Sequence, residues 1–397
     1  MYLAERVREV DASPTLAISS KAKELKRQGI DIIGLGAGEP DFDTPDHIKE
    51  VAIKAIEEGF TNYTVSSGIL ELKEAICEKL EENNNLKYKS EEIIVSSGAK
   101  HSLYNTLQSI SDEGDEIILP APYWVSYPQL INLAGGKPVI LETMEENDFK
   151  LRPEDLSRLI TDKTRGLILN TPSNPTGAVY NKEELEKIAE IAVENNIYII
   201  ADEIYNQIYY DEKPVSIASL NSKIKDLTIL INGVSKAYAM TGWRIGYTAA
   251  NKEIVDAMSK LQSHSTSNPN SIAQKASVAA LIGSQKPVEQ MVEAFQERRD
   301  YVVSRINQIN GLSVEIPKGA FYLFVNATKL IGEEINGIQI TDDQKLVKAL
   351  LTEAEVAVVP GSAFGAPNYL RLSYATSLEE LTIALDRISE FLGTKNE

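Results

Sequence analysis

At 397 residues the chain is too long for one ordinary hydrophobic core, so the length predicts two domains. A composition of 43% hydrophobic and 25% charged residues is that of a soluble globular protein. The formal net charge of −18 argues against nucleic acid and anionic membranes as partners, because both need basic surfaces. A single cysteine, Cys77, leaves no intrachain disulfide. His47, His101 and His264 are scattered without metal-ligand spacing, so no metal is expected. No basic segment runs into a long apolar stretch, and no stretch reaches membrane-spanning length, so the expected location is the cytoplasm.

Residues 1–30 read as an arm and a helix that begins around Ser13, Pro14 and Thr15. Gly34, Gly36 and Gly38 follow with G-x-G-x-G spacing, and Glu39-Pro40 stands where a dinucleotide fold would start a helix. The stretch therefore reads as a backbone-exposing loop that lets a ligand carboxylate approach an amide. A helix is expected from Pro45 to Glu58, and another ends near Asn83. Glu91 to Asn105 reads as strand, glycine turn and helix, with an anion cup at Gly98. Asp115 to Pro128 is a strand running into a rigid loop that carries Trp124. Gly136 to Glu142 is a strand, and Arg165 to Asn170 runs into the stiff turn from Thr171 to Gly177. A helix over Glu183–Asn195 leads to the apolar strand that ends at Asp202.

Leu227 to Ile231 is again a buried strand, followed by Ser235, Lys236 and Arg244. A lysine in dry surroundings loses its charge readily and becomes a nucleophilic amine. A serine and an arginine nearby suit a phosphate. Residues 252–282 mix helix and loop, and Val288 to Ile309 is a long amphipathic helix into a smaller α+β domain. There Leu312–Ile316, Ala320–Val325, Val356–Pro360 and Tyr369–Tyr374 read as strands, and Asp342–Glu353 and Leu378–Leu392 as helices. From about residue 90 to 250, wholly apolar strands alternate with helices, which predicts a mostly parallel sheet covered on both faces. Gly98, Trp124, Asn174, Asp202 and Lys236 each follow a strand, so they should meet at the carboxyl edge of that sheet.

These motifs in this order give the chain a likeness that covers nearly its whole length. Gly36 to Phe42, Ser97-Gly98-Ala99-Lys100, Tyr123-Trp124, Asn174 to Gly177, Asp202 to Tyr205, Ser235-Lys236 with Arg244, and Arg371 together resemble the class I, fold type I aminotransferases that use pyridoxal 5′-phosphate (PLP), close to the bacterial and archaeal aspartate aminotransferase branch. The resemblance implies an α/β fold with a large PLP-binding domain at 46–289. It also implies a smaller α+β domain built from 290–397 and part of the arm at 1–45. Lys236 would hold PLP as a Schiff base and carry a proton at the substrate. Asp202 would keep the pyridine nitrogen protonated, Asn174 and Tyr205 would bond the ring oxygen, and Trp124 would stack on the ring. Gly98, Ala99, Lys100, Ser235 and Arg244 would hold the phosphate, with Tyr63 reaching it from the other subunit of a homodimer that shares its active sites. Arg371 would grip the substrate α-carboxylate, helped by Gly38 and Asn174.

The substrates implied are an amino acid and a 2-oxo acid. No arginine lies between Arg244 and Arg298, so one known device for a second carboxylate is missing. Lys100, with Ser13 and Thr15, would take its place, which favours L-aspartate with 2-oxoglutarate in ping-pong half-reactions. An aromatic or prephenate aminotransferase is the alternative on the same fold. A lyase or decarboxylase on that fold and a non-catalytic PLP-binding regulator are weaker rivals, and the G-x-G-x-G spacing sets a nicotinamide dehydrogenase aside. Closure of the small domain on substrate is expected.

Overall fold

The computed structural model describes residues 4–8 and 10–393, so residues 1–3 and 9 of the expected arm and 394–397 of the expected small domain lie outside it. Fourteen strands occur among the described residues. Strand β1 is Ile33–Gly34. Seven more build the main sheet: β2 (Ile93–Ser96), β3 (Glu116–Ala121), β4 (Lys137–Glu142), β5 (Thr164–Asn170), β6 (Tyr198–Asp202), β7 (Thr228–Gly233) and β8 (Gly246–Ala249). The rest are β9 (Tyr322–Asn326), β10 (Glu334–Ile335), β11 (Ile338–Gln339), β12 (Val356–Ala357), β13 (Val359–Pro360) and β14 (Tyr369–Ser373).

The main sheet has the order β2-β8-β7-β6-β5-β3-β4, and only β8 runs against its neighbours. Its inner strands β6 and β7 are apolar and buried along nearly their whole length because both faces are covered, whereas the edge strand β4 exposes Lys137, Ile140 and Glu142. Leu167, Leu169, Ile199 and Ala201 turn to one face and pack with Leu185 and Ile188 of the helix Lys182–Asn195. Ile168 and Ile200, one position out of phase, turn to the other face and pack with Leu103 and Leu107 of the helix Ala99–Ile110. The period of two along each strand is what lets one short segment feed two cores. Each such side chain is essentially without solvent contact, and burying it is worth about 1.5–3 kcal/mol.

The second core joins the two ends of the chain. Strands β13, β14 and β9 form an antiparallel sheet in that order. Phe295 of the helix Lys286–Ile306, Leu350 of Asp343–Glu353 and Leu385 of Leu378–Phe391 pack with Phe321 and Leu372. Ile33 and Leu35 belong to the same cluster, and β1 pairs in parallel with β12. A four-stranded reading of this region needs two corrections. The segment Leu312–Ile316 forms only a bridge from Ser313 to Asn326. Glu315 and Ile316 face solvent, and the following Pro317 has no N–H to donate. The run Val356–Pro360 splits in two, with β12 serving β1 and β13 serving β14. Among the described residues no helix is long and apolar enough to cross a membrane.

Candidate active site

A cleft of about 400 Å³ opens at the carboxyl ends of the parallel strands, where it meets the second core. It is lined by Ser13, Thr15, Gly38, Ala99, Lys100, Trp124, Asn174, Asp202, Tyr205, Ser235, Lys236, Arg244 and Arg371. The turn residues of separate strands therefore meet as their positions predict. Gly98 lies just behind the lining, and Tyr63 is 89% exposed and does not line the cleft of its own chain.

Lys236 stands three residues past β7 and donates from Nζ to the Gly38 carbonyl at 2.6 Å. Burial pushes its pKa down to about 8, against the pull of Glu39, with Arg244 and Arg371 adding to the depression and Asp202 opposing it. About a tenth of the amine is therefore neutral at pH 7, far more than for a solvated lysine.

Asp202 closes β6 and is almost fully buried. Tyr127 Oη donates to its Oδ2 at 2.7 Å, and the Ile204 N–H donates to Oδ1 at 3.2 Å. Burial nevertheless pushes the carboxyl up to about 6. A cationic ligand group beside it would reverse that shift, because opposite charge favours the ionised form. Its neighbour Glu203 lies on the other side of the strand, accepts from Ser216 Oγ at 2.6 Å, and is pushed by burial up to about 8. In the folded protein Glu203 keeps its proton up to about pH 8, whereas the ordinary value is 4.5. Between those values the unfolded chain releases the proton more readily, so this group's stabilisation falls as pH rises, by about 1.4 kcal/mol per pH unit. Glu203→Gln should lose less stability than the wild type between pH 5 and about 8. Urea midpoints across that range check it, and parallel curves for the two proteins would contradict it.

The anion provisions are of two kinds. Gly98 has φ +90°, and a Cβ there would lie 2.1 Å from Arg244 Nη2. A Cβ on Gly246 would lie 2.2 Å from the Ala99 nitrogen. Two glycines thus let the helix start Ala99–Ile110 close against the Arg244 side chain, which bonds the carbonyls of Thr241 at 2.9 Å and Ser97 at 3.4 Å. The N–H groups of a helix's first turn have no acceptor within the helix. Arg244 and that first turn bring together donors of the kind a phosphate needs, with buried Ser235 also on the lining.

The second provision is Arg371 on β14. It is 2% exposed, donates from Nη1 to Asn174 Oδ1 at 3.0 Å and from Nη2 to the Gly36 carbonyl at 2.7 Å, and its guanidinium lies 4.6 Å from the Tyr322 ring. Its Nε is buried without a hydrogen-bond partner. A buried orphan donor on a charged group is costly unless a ligand satisfies it.

Across the cleft, Lys100 Nζ stands 4.8 Å over the Trp124 ring. Loss of water around it, with Arg244 adding, lowers its pKa. Ser13 Oγ and Thr15 Oγ1 lie 2.9 Å apart, and Ser13 caps the helix Pro14–Arg27.

Several lining residues carried no local signal in the sequence. Tyr127 holds Asp202, Asn170 holds both the Asp202 carbonyl and the Asn174 N–H, and Tyr322 pairs its hydroxyl with Tyr205 at 2.9 Å. Tyr127 lies three residues from Trp124, and the signal for it is that a buried acid such as Asp202 needs a donor. Tyr322 comes from the distant antiparallel sheet, and only the fold brings it near.

Residues 30–388 match the family described as aminotransferase class I and II. The chain belongs to that family. It is 52% identical to the aspartate aminotransferase of Bacillus subtilis over 99% of each chain. It is 49% identical, over 98% of each, to a probable aspartate/prephenate aminotransferase of Aquifex aeolicus. The crystal structure of the aspartate aminotransferase from Rhizobium meliloti superposes with a TM-score of 0.96 at 44% identity over 99% of each chain. Class I aminotransferases use PLP, and the lysine, the buried acid and the donors around Arg244 in this cleft fit that cofactor.

Proposed function

We propose that this aminotransferase exchanges the amino group between L-aspartate and 2-oxoglutarate in two half-reactions. The observation that carries the reading is a pair of separate carboxylate provisions in one cleft: Arg371 with its unpartnered Nε, and Lys100 with Ser13 and Thr15. The Bacillus subtilis relative supports it by its name.

Bound PLP withdraws electrons from the substrate Cα so that its proton can leave. Gly98, Ala99, the Lys100 backbone, Ser235 and Arg244 would hold the cofactor's phosphate, and Trp124 would lie against its ring. Asp202, held in place by Tyr127, would keep the ring nitrogen protonated. Asn174 Oδ1 is taken by Arg371, so its Nδ2 is the atom left to donate to the ring oxygen, beside Tyr205. Lys236 Nζ, neutral for part of the time, takes the proton at Cα and returns it elsewhere on the reacting pair. Arg371 binds the α-carboxylate with the Gly38 N–H beside it. Tyr63 serves the neighbouring subunit of a homodimer, which gives its exposed ring a place. We also propose the division at residues 45 and 289, with the small unit closing on the dicarboxylate.

Lys100→Ala tests the side-chain assignment. A charge-assisted hydrogen bond is worth about 1.5–3 kcal/mol, so kcat/KM for aspartate should fall by roughly 10- to 150-fold. For tyrosine it should stay within about threefold, because no carboxylate is lost from contact. Equal losses for both substrates would remove Lys100 from substrate selection. The aspartate/prephenate relative favours a second reading, amination of prephenate, and the same variant assayed with prephenate measures that activity beside aspartate.

A further inference from the structure

The helix Pro14–Arg27 lies along the mouth of the cleft. Ile18, Ala22 and Leu25 anchor one face of it against Ile32, Leu351 and Ala357. Leu16, Ser19 and Lys23, at spacings of three and four, present the other face to the cleft. Among the described residues the Lys23 ammonium makes no ion pair and no hydrogen bond. Its neighbours are engaged. Lys21 pairs with Glu24 at 3.0 Å, and Glu24 also accepts from Gln28 at 3.2 Å. Glu39, an acid of the lining, accepts from Thr241 Oγ1 at 3.0 Å.

The charge on the lining is opposite to that of the molecule. With Arg244 assigned to the cofactor's phosphate and Lys236 and Asp202 to its ring, the lining leaves Lys23, Lys100 and Arg371 against Glu39 for a substrate, while the chain as a whole carries −18. A dianionic substrate is repelled by the distant surface and attracted by the mouth. Screening decides which term wins. At 0.1 M salt the Debye length is about 10 Å, so distant charges fade and those beside the entering ligand remain. Lys100 and the Ser13 end of the helix face the seated substrate. Lys23 lies eight residues beyond Thr15, about 12 Å along the axis, and meets a ligand earlier.

We infer that Lys23 is the outer charge of an entry site for dicarboxylic substrates, acting on the dianion before Lys100 and Arg371 take its two ends. The inference rests on the dicarboxylate reading of the same cleft. Lys23 belongs to no hydrogen-bonded network, so its effect is through-space and depends on salt and on ligand charge. A unit charge acting on a dianion across about 10 Å of water changes affinity by about threefold.

Calorimetric titration of the PLP-loaded protein with succinate and with butyrate separates the cases. Neither ligand turns over, so the readout does not depend on activity. At about 20 mM salt, Lys23→Gln should weaken succinate binding about threefold and butyrate binding less. At about 0.5 M salt the difference should vanish, and Lys23→Arg should restore wild-type affinity at low salt. Unchanged succinate binding in Lys23→Gln at low salt would overturn the inference. So would a loss of equal size at both salt concentrations, which would mean a packing role. If the wild type prefers succinate while Lys23→Gln behaves like it, only the role of Lys23 fails. If the wild type shows no preference for succinate over butyrate, the dicarboxylate reading fails and the entry site with it.

Discussion

Lys236→Ala is expected to lower kcat/KM for every amino acid substrate by about 10⁴-fold, the upper range for losing a positioned proton carrier. The environment explains why this lysine and not another carries the role. Burial moves its pKa from 10.5 to about 8, which raises the neutral fraction near pH 7 by more than two orders of magnitude over a solvated lysine. The 2.6 Å bond to the Gly38 carbonyl fixes Nζ over the loop that also borders Arg371 through Gly36. The variant should still bind succinate, because Arg371 and Lys100 are untouched. Calorimetry on the same preparation therefore separates lost chemistry from lost folding. Activity within tenfold of the wild type would move the proton transfer to another group.

Arg371 carries the second large effect. Arg371→Ala should reduce kcat/KM by about 10²- to 5 × 10³-fold for aspartate and tyrosine alike, since breaking a buried, paired charge costs about 3–5 kcal/mol. Part of that cost falls on the protein itself, where Asn174 Oδ1 and the Gly36 carbonyl lose their donors. Arg371→Lys keeps a charge but not the fork, so it should recover only part of the loss. Insensitivity to side chain is the diagnostic feature, and it contrasts with the selective effect expected for Lys100→Ala. A loss confined to dicarboxylic substrates would assign Arg371 to the wrong end of the ligand.

How much of this was legible in the sequence depends on what kind of interaction fixed each part. The main sheet was legible because its inner strands are apolar on both faces and β2, β3, β5, β6 and β7 end at or close to Gly, Pro, Asn or Asp. That pattern leaves a buried parallel sheet as the simplest solution, and strand ends in such a sheet share one edge. Asp202, Lys236 and Asn174 therefore fell into one cleft from position alone. The small sheet was less legible. Its strands are two to five residues long, and Val356–Pro360 feeds two different partners, which no local period encodes. Tyr322 and Tyr127 escaped because their role is to satisfy other residues, and the need arises only once Tyr205 and Asp202 are buried beside them. Lys23 escaped for a different reason. On a helix it reads as one solvated lysine among several, and only the packing of Ile18 and Ala22 on the opposite face turns it to the cleft.

In the proposed reaction one cleft accepts a dicarboxylic amino acid and keeps its amino group until a 2-oxo acid takes it away. The most direct test mixes the PLP-loaded protein with L-aspartate alone and measures oxaloacetate against the number of sites. The expected result is release that stops at about one oxaloacetate per site and resumes when 2-oxoglutarate is added, with glutamate appearing in step, as two linked half-reactions require. No oxaloacetate from aspartate, or carbon product that continues past one equivalent without any acceptor, would contradict the account.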